Sequence, residues 1–158
     1  MAVLSMFKIA TVLSGFVVSD EDLLAATLTL EDNNYKGMCA ISEVVWNRAE
    51  HNPKNIRKVL LKKWQFSCLN GHTVKGESLV KIIRKARSRS NWNIAKSIAK
   101  NVLSGKVTSL AGESQHYFVY KGSSKVSPSW GPPSLGGRNK KAKIVAFIGD
   151  HVFLSNVD

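Results

Sequence analysis

At His116 the hydrophobic period of this chain changes, and the change limits the folds open to it. Upstream, apolar residues recur at helical spacing: Leu23, Leu24 and Leu28 running toward Glu31, then Met38, Ile41, Val45 and Ala49 from Lys36 onward. The second pattern stops at His51-Asn52-Pro53. Two more helical stretches follow, Leu79, Ile82, Ile83 and Ala86, then Trp92, Ala95, Ile98, Ala99 and Val102, closed by Gly105 in the position a helix C-terminus favours. Ser19-Asp20-Glu21-Asp22 reads as the first helix start, because a serine or aspartate caps free N–H groups and acidic residues favour the first turn. From His116 the chain turns aromatic and β-branched in HYFVY, passes through a Gly/Ser/Pro-rich loop from Gly122 to Gly137, and ends in KIVAFIG and HVFL about a turn near Gly149-Asp150. Stripes that only helices can bury, followed by faces that only strands can bury, predict an α+β fold, mainly α, with a small C-terminal antiparallel β element.

A chain of 158 residues can bury one real core, and the loop from Gly122 to Gly137 is too short to join two, so one domain over 1–158 is expected. The first eighteen residues read as a helix with Val3, Phe7, Ala10, Leu13 and Val17 toward the core. Export by this segment is the competing reading, but Lys8 comes late and no A-x-A cleavage site follows. The apolar run is too short for an ordinary membrane span. Lys and Arg number 23 against 11 acidic residues, a net charge of +12 that attracts polyanions such as nucleic acid, anionic lipid or envelope polymers. No zinc finger, RNP pattern or helix-turn-helix favours nucleic acid among them. The basic run from Lys81 to Arg89 reads as a solvated helix face, with anion attraction as its functional alternative.

Cys39 and Cys68 have neither metal-ligand spacing nor the density of a disulfide scaffold, which fits synthesis in a reducing compartment. A cysteine peptidase using Cys39 or Cys68 with His72 or His116 is conceivable, but Cys39 lies inside an apolar helix and neither cysteine opens a nucleophile turn. The four histidines, His51, His72, His116 and His151, show no paired helical spacing for zinc, and no metal or cofactor is expected. Glu31 is a plausible general acid for glycosidic cleavage, since a helix C-terminus and apolar Leu28 and Leu30 both disfavour its charged form. The bland alternative is an exposed helix-end carboxylate. Most glycosidases pair such an acid with a second carboxylate. Asp32, Glu43, Glu77 and Glu113 are candidates, but Asp32 is expected to point away from its neighbour and Glu43 to face water, so no partner stands out.

Several blocks in a fixed order resemble the SleB-type cell-wall hydrolase family, a lysozyme-like group that includes spore cortex-lytic enzymes and phage lysins. They are ATLTLEDNNYKGMCAISEVVWNRAEHNP with Glu31, Gly37, Asn47 and Arg48; Trp64-Gln65-Phe66-Ser67; NWNIAKSIAKNVLSG; Ser114-Gln115-His116-Tyr117; Pro128-Ser129-Trp130; and Ile148-Gly149-Asp150-His151-Val152-Phe153. The resemblance covers about 23–154 and departs from the family where Leu30 replaces a glycine and Cys68 an aromatic residue. It implies a single lysozyme-like domain that cleaves the glycan strands of bacterial peptidoglycan, with Glu31 as the essential acid. The spore members imply lytic transglycosylase chemistry, in which the sugar's own 6-hydroxyl attacks and Glu31 acts first as acid and then as base. A hydrolytic muramidase with a second carboxylate stays open.

Gln65 and Ser67 are expected to hydrogen-bond the sugar or hold Glu31, and His116 with Tyr117 to line the cleft opposite it; for His116 a scaffold role competes evenly, and His151 reads as structural. The partners implied are peptidoglycan and anionic cell-envelope polymers, with no specific nucleic acid and no stable membrane insertion, for a monomer. A short, basic catalytic domain without an evident wall-binding module resembles a phage lysin, held in the host cytoplasm before lysis.

Overall fold

A computed structural model describes residues 18–158, so the N-terminal apolar helix expected for the first eighteen residues lies almost wholly outside the described residues. The first described helix, α1 (Asp20–Glu31), starts where the Ser19 side chain accepts the Asp22 N–H at 3.1 Å. Its acidic first turn is held by cations from two other helices, Arg57 2.6 Å from Asp20 and Lys96 3.1 Å from Glu21 and 2.5 Å from Asp22. Every residue from Leu23 to Thr29 is buried. A helix apolar all round belongs at the centre of a fold, and α1 is wrapped by α2 (Tyr35–Arg48), α3 (Ile56–Leu60), α5 (Leu79–Arg87) and α6 (Trp92–Leu103). A one-turn helix, α4 (Asn70–Thr73), lies between α3 and α5. Helix α6 ends as its sequence predicts: Gly105, at φ +84°, donates to the Val102 carbonyl and Lys106 to that of Asn101.

The C-terminal third forms one antiparallel sheet in the order β1 (His116–Val119), β3 (His151–Ser155), β2 (Lys143–Ile148). The register pairs Tyr117 with Phe153, and Val119 and Ile148 with His151. Strand β3 is central, and His151 to Leu154 are all buried, so both of its faces are covered. Strand β2 is an edge with an irregularity between Ile144 and Ala146, and its Phe147 is exposed. The mainly helical α+β architecture anticipated from the change of period is thus the one observed. The sequence reading left out α3 and α4, which are too short to show a period.

Candidate active site

Glu31 is the last residue of α1, and Asp32 leaves the helix in extended conformation. Glu31 Oε2 accepts a hydrogen bond from the Tyr117 hydroxyl at 3.0 Å, and its Oε1 faces the Cys68 backbone N–H across 3.5 Å. The carboxylate is therefore pinned through one oxygen by the sheet and only loosely touched at the other. Burial, followed by the carboxylate of Glu31 beside it, pushes the Tyr117 hydroxyl well above its ordinary value, so it remains a donor throughout the physiological range. The Tyr117 ring packs on Phe153 at 5.6 Å and against the edge of His151 at 5.2 Å.

Two grooves flank the C-terminal end of α1, where Leu30 lines one and Glu31 the other. One, of about 360 Å³, is lined by Glu31, Asp32, Asn33, Asn34, Val119, Asp150 and His151. The other, of about 490 Å³, is bounded by Leu30, Ser67, Cys68, Glu77 and the basic face of α5. A larger concavity of about 730 Å³ lies at Asn47, His51, Glu113, Gln115 and His116, and Glu31 does not line it. Size alone does not mark the reactive place, because no carboxylate there is held as Glu31 is.

Asp32 is turned into the fold. Its Oδ2 bonds His151 Nδ1 at 3.1 Å and its Oδ1 accepts the Asn34 N–H at 2.7 Å. Burial raises the Asp32 carboxyl, but these hydrogen bonds and the His151 charge outweigh it and hold the group below its ordinary 3.8. Gly37 is required here, since a Cβ at that position would stand 2.0 Å from Asp32 Oδ2. His151, expected to be structural, is buried with Asp32 as its partner and also lines the groove of Glu31. Asp32 lines the same groove as Glu31, but both of its oxygens are already engaged.

Glu43 departs from expectation. It is 2% exposed instead of facing water, and it accepts from Thr108 Oγ1 at 2.6 Å, Leu110 N at 3.0 Å and Ala111 N at 2.9 Å. No local pattern signals this, because the loop that Glu43 clasps lies about sixty-five residues away. Glu77 lines the groove beside α5, 3.9 Å from Lys81. Glu113 is exposed in the larger concavity, away from Glu31.

Of the residues expected around Glu31, Tyr117 touches it and Ser67 lies in the adjoining groove. Gln65 does neither: its carbonyl accepts from Arg48 Nη1 at 2.9 Å. His116 sits on the opposite face of β1 from Tyr117, because successive strand side chains alternate, and it packs against Trp130 at 5.6 Å. Burial, with Arg48 nearby, lowers its affinity for a proton, and Nδ1 is buried with no partner among the described residues.

Sequence reasoning did not assign a role to Arg48. It bonds the Gln65 side chain, donates to the Gln115 carbonyl at 2.5 Å and lies over the Phe66 ring, so it ties the end of α2 to the segments on both sides of Glu31. The Asn47-Arg48 pair closing an apolar helix was its visible signal. Asn47 does parallel work, donating to the carbonyls of Gly112 and Ser114 at 2.9 Å each just before β1. Trp64 is exposed with φ at +66°, a backbone conformation rare for a bulky residue.

A model of the family described as Cell Wall Hydrolase matches residues 32–154, most of the chain. The chain belongs to the cell wall hydrolase family. No curated protein and no solved structure matches it. Membership makes this cell wall hydrolase an enzyme of peptidoglycan degradation, and it agrees with the resemblance carried by the sequence blocks. The matched span begins directly after Glu31 and takes in Tyr117, Cys68 and the groove residues of α5. The cysteines of this hydrolase are poor nucleophile candidates: Cys39 is buried, and burial together with neighbouring Glu31 raises the Cys68 thiol. Among the described residues no helix is long and apolar enough to cross a membrane.

Proposed function

We propose that this cell wall hydrolase cuts the glycan strand of peptidoglycan as a lytic transglycosylase, with Glu31 as its single acid and base. The observation that carries the reading is the state of the carboxylates around the cleft. Glu31 lines its groove with one oxygen loosely engaged, while the other carboxylates nearby have partners: Asp32 is bonded by His151 and Asn34, Asp150 lies 3.1 Å from Lys121, Glu77 lies 3.9 Å from Lys81, and Glu43 is clasped by the 108–111 loop. A hydrolase of the usual two-carboxylate kind requires a second free carboxylate to activate water or attack the sugar. A transglycosylase does not.

In the proposed reaction Glu31 protonates the leaving glycosidic oxygen as the C1–O bond breaks and positive charge builds on the muramic ring. The carboxylate so formed is stabilised by the Tyr117 hydroxyl. It then takes the proton from the same sugar's 6-hydroxyl as that oxygen bonds to C1. The products are a 1,6-anhydro-muramic end and a free 4-hydroxyl on the departing sugar. No water is consumed, and Glu31 ends protonated as it began.

The test is digestion of purified sacculi by wild type and by Glu31→Gln, with the fragments identified by mass spectrometry. Anhydro-muramic ends from the wild type are expected, with a loss of about 10² to 10⁴ in rate for the variant. Reducing muramic ends would make the enzyme a hydrolytic muramidase, and an active Glu31→Gln would remove Glu31 from the mechanism.

A further inference from the structure

We propose that the groove on the α5 side of Glu31 binds the carboxylates of the peptide stems carried by muramic sugars, and so sets the direction in which the strand lies across the acid. This rests on the glycan-cleaving reading above. Helix α5 buries Ile82, Ile83 and Ala86 against the core. Lys81 and Lys85, four residues apart, stand on its outer side, and Arg89 follows four residues later just beyond its end, so all three line one wall. Lys81 is 3.9 Å from Glu77, while among the described residues Lys85 and Arg89 form no ion pair. The wall therefore has cations in excess of carboxylates.

The groove lined by Glu31 has no such excess: no Lys or Arg lines it, Asp32 there is bonded by His151, and Asp150 lies 3.1 Å from Lys121. A strand lying across Glu31 would meet uncompensated positive charge on the α5 side alone. Its N-acetylated sugars are neutral, so its ionised groups are those of its stems, in which carboxylates outnumber amines. The stem carboxylates are therefore favoured on the α5 side.

The groove also lies next to the proposed acid, since Leu30 and Cys68 line it and the Cys68 N–H faces Glu31 Oε1 across 3.5 Å. A stem carried by the sugar next to the bond being cut is held within reach of this groove by its own attachment, which favours a stem carboxylate over a phosphate of a distant wall polymer. Arg89 supplies a planar fork suited to bidentate pairing with a carboxylate, and Lys85 a point charge beside it. The groove thus offers both kinds of contact.

The experiment compares the wild-type chain with Lys85→Ala/Arg89→Ala, using Lys140→Ala/Lys141→Ala as a control of equal charge loss elsewhere. The first measurement is titration with N-acetylmuramyl tetrapeptide, which has no glycosidic bond to cut and so reports on the groove whatever Glu31 does. The groove variant is expected to bind it about tenfold more weakly, the control variant within about twofold of wild type. The second is KM on stem-bearing strands and on strands stripped of stems by an amidase. A rise of about tenfold for the groove variant, largely abolished on stripped strands, is expected.

Equal rises on both strands, no rise on either, or a rise that disappears when wall phosphate polymers are removed would each overturn the proposal. Lys85→Arg/Arg89→Lys keeps both charges and should restore most of the binding, which separates charge loss from misfolding. An active Glu31→Gln would defeat the catalytic reading alone, since the titration does not depend on it.

Discussion

The contact between Glu31 and Tyr117 joins the last residue of one helix to a strand eighty-six residues later, and it makes a sharp prediction. Tyr117→Phe keeps the ring on Phe153 and removes only the hydroxyl. A hydrogen bond to a charged acceptor contributes about 1.5 to 3 kcal/mol, so kcat should fall about ten- to a hundredfold. KM should change little, and steady-state kinetics on soluble glycan strands separates the two. A fall in stability without a fall in kcat would mean that the hydroxyl only holds the fold. Asp32 leads to a prediction about acid. Its folded carboxyl lies below the ordinary 3.8, so its contribution to stability is complete above the unfolded value and is lost as pH falls through the folded one. Thermal melts from pH 6 to pH 2 should show wild type losing stability below about pH 4, and Asp32→Asn should be less stable at pH 6 with a shallower acid decline. An unchanged acid limb in the variant would show that the His151 contact does not contribute.

The elements show which parts of the site a reader of the sequence can reach. Helix α1 and its cap at Ser19 were legible, and so was the schedule of strands, because both are written in local spacing. Tyr117 was legible by resemblance, and it does meet Glu31. Its neighbour His116 was grouped with it, and strand alternation sends the two side chains to opposite faces. Glu43 was misread because α2 is buried from Gly37 to Val45, far around its circumference, so its period does not reveal an outer face. The element-scale prediction follows from its buried carboxylate. Glu43→Ala would leave the N–H groups of Leu110 and Ala111 without their acceptor, and a loss of about 3 to 5 kcal/mol in denaturant unfolding is expected. Glu43→Gln, which keeps one carbonyl acceptor, should cost less.

Across the whole molecule the net charge of +12 and the fold divide the work. A positive field of this size favours anionic polymers, and its long-range part is screened by salt, with a Debye length of about 10 Å at 0.1 M. Binding to intact sacculi should therefore weaken markedly between 50 and about 500 mM salt. Sedimentation with sacculi across that range measures it, and binding indifferent to salt would assign the attachment to other contacts. The core ties the helices to the sheet: Phe153 is fully buried and carries the Tyr117 ring. Phe153→Ala should lower stability by about 3 to 5 kcal/mol and loosen the contact at Glu31 with it. The succession of helices and strands, the single core and the excess of basic residues are properties of neighbours along the chain, and local period and composition express them without a fold. The hold of Tyr117 on Glu31, the bonding of Asp32 by His151 and of Glu43 by the 108–111 loop, and the place of the basic wall of α5 beside Cys68 depend on residues tens of positions apart. Only packing brings those together, because distant contacts leave no period in the sequence.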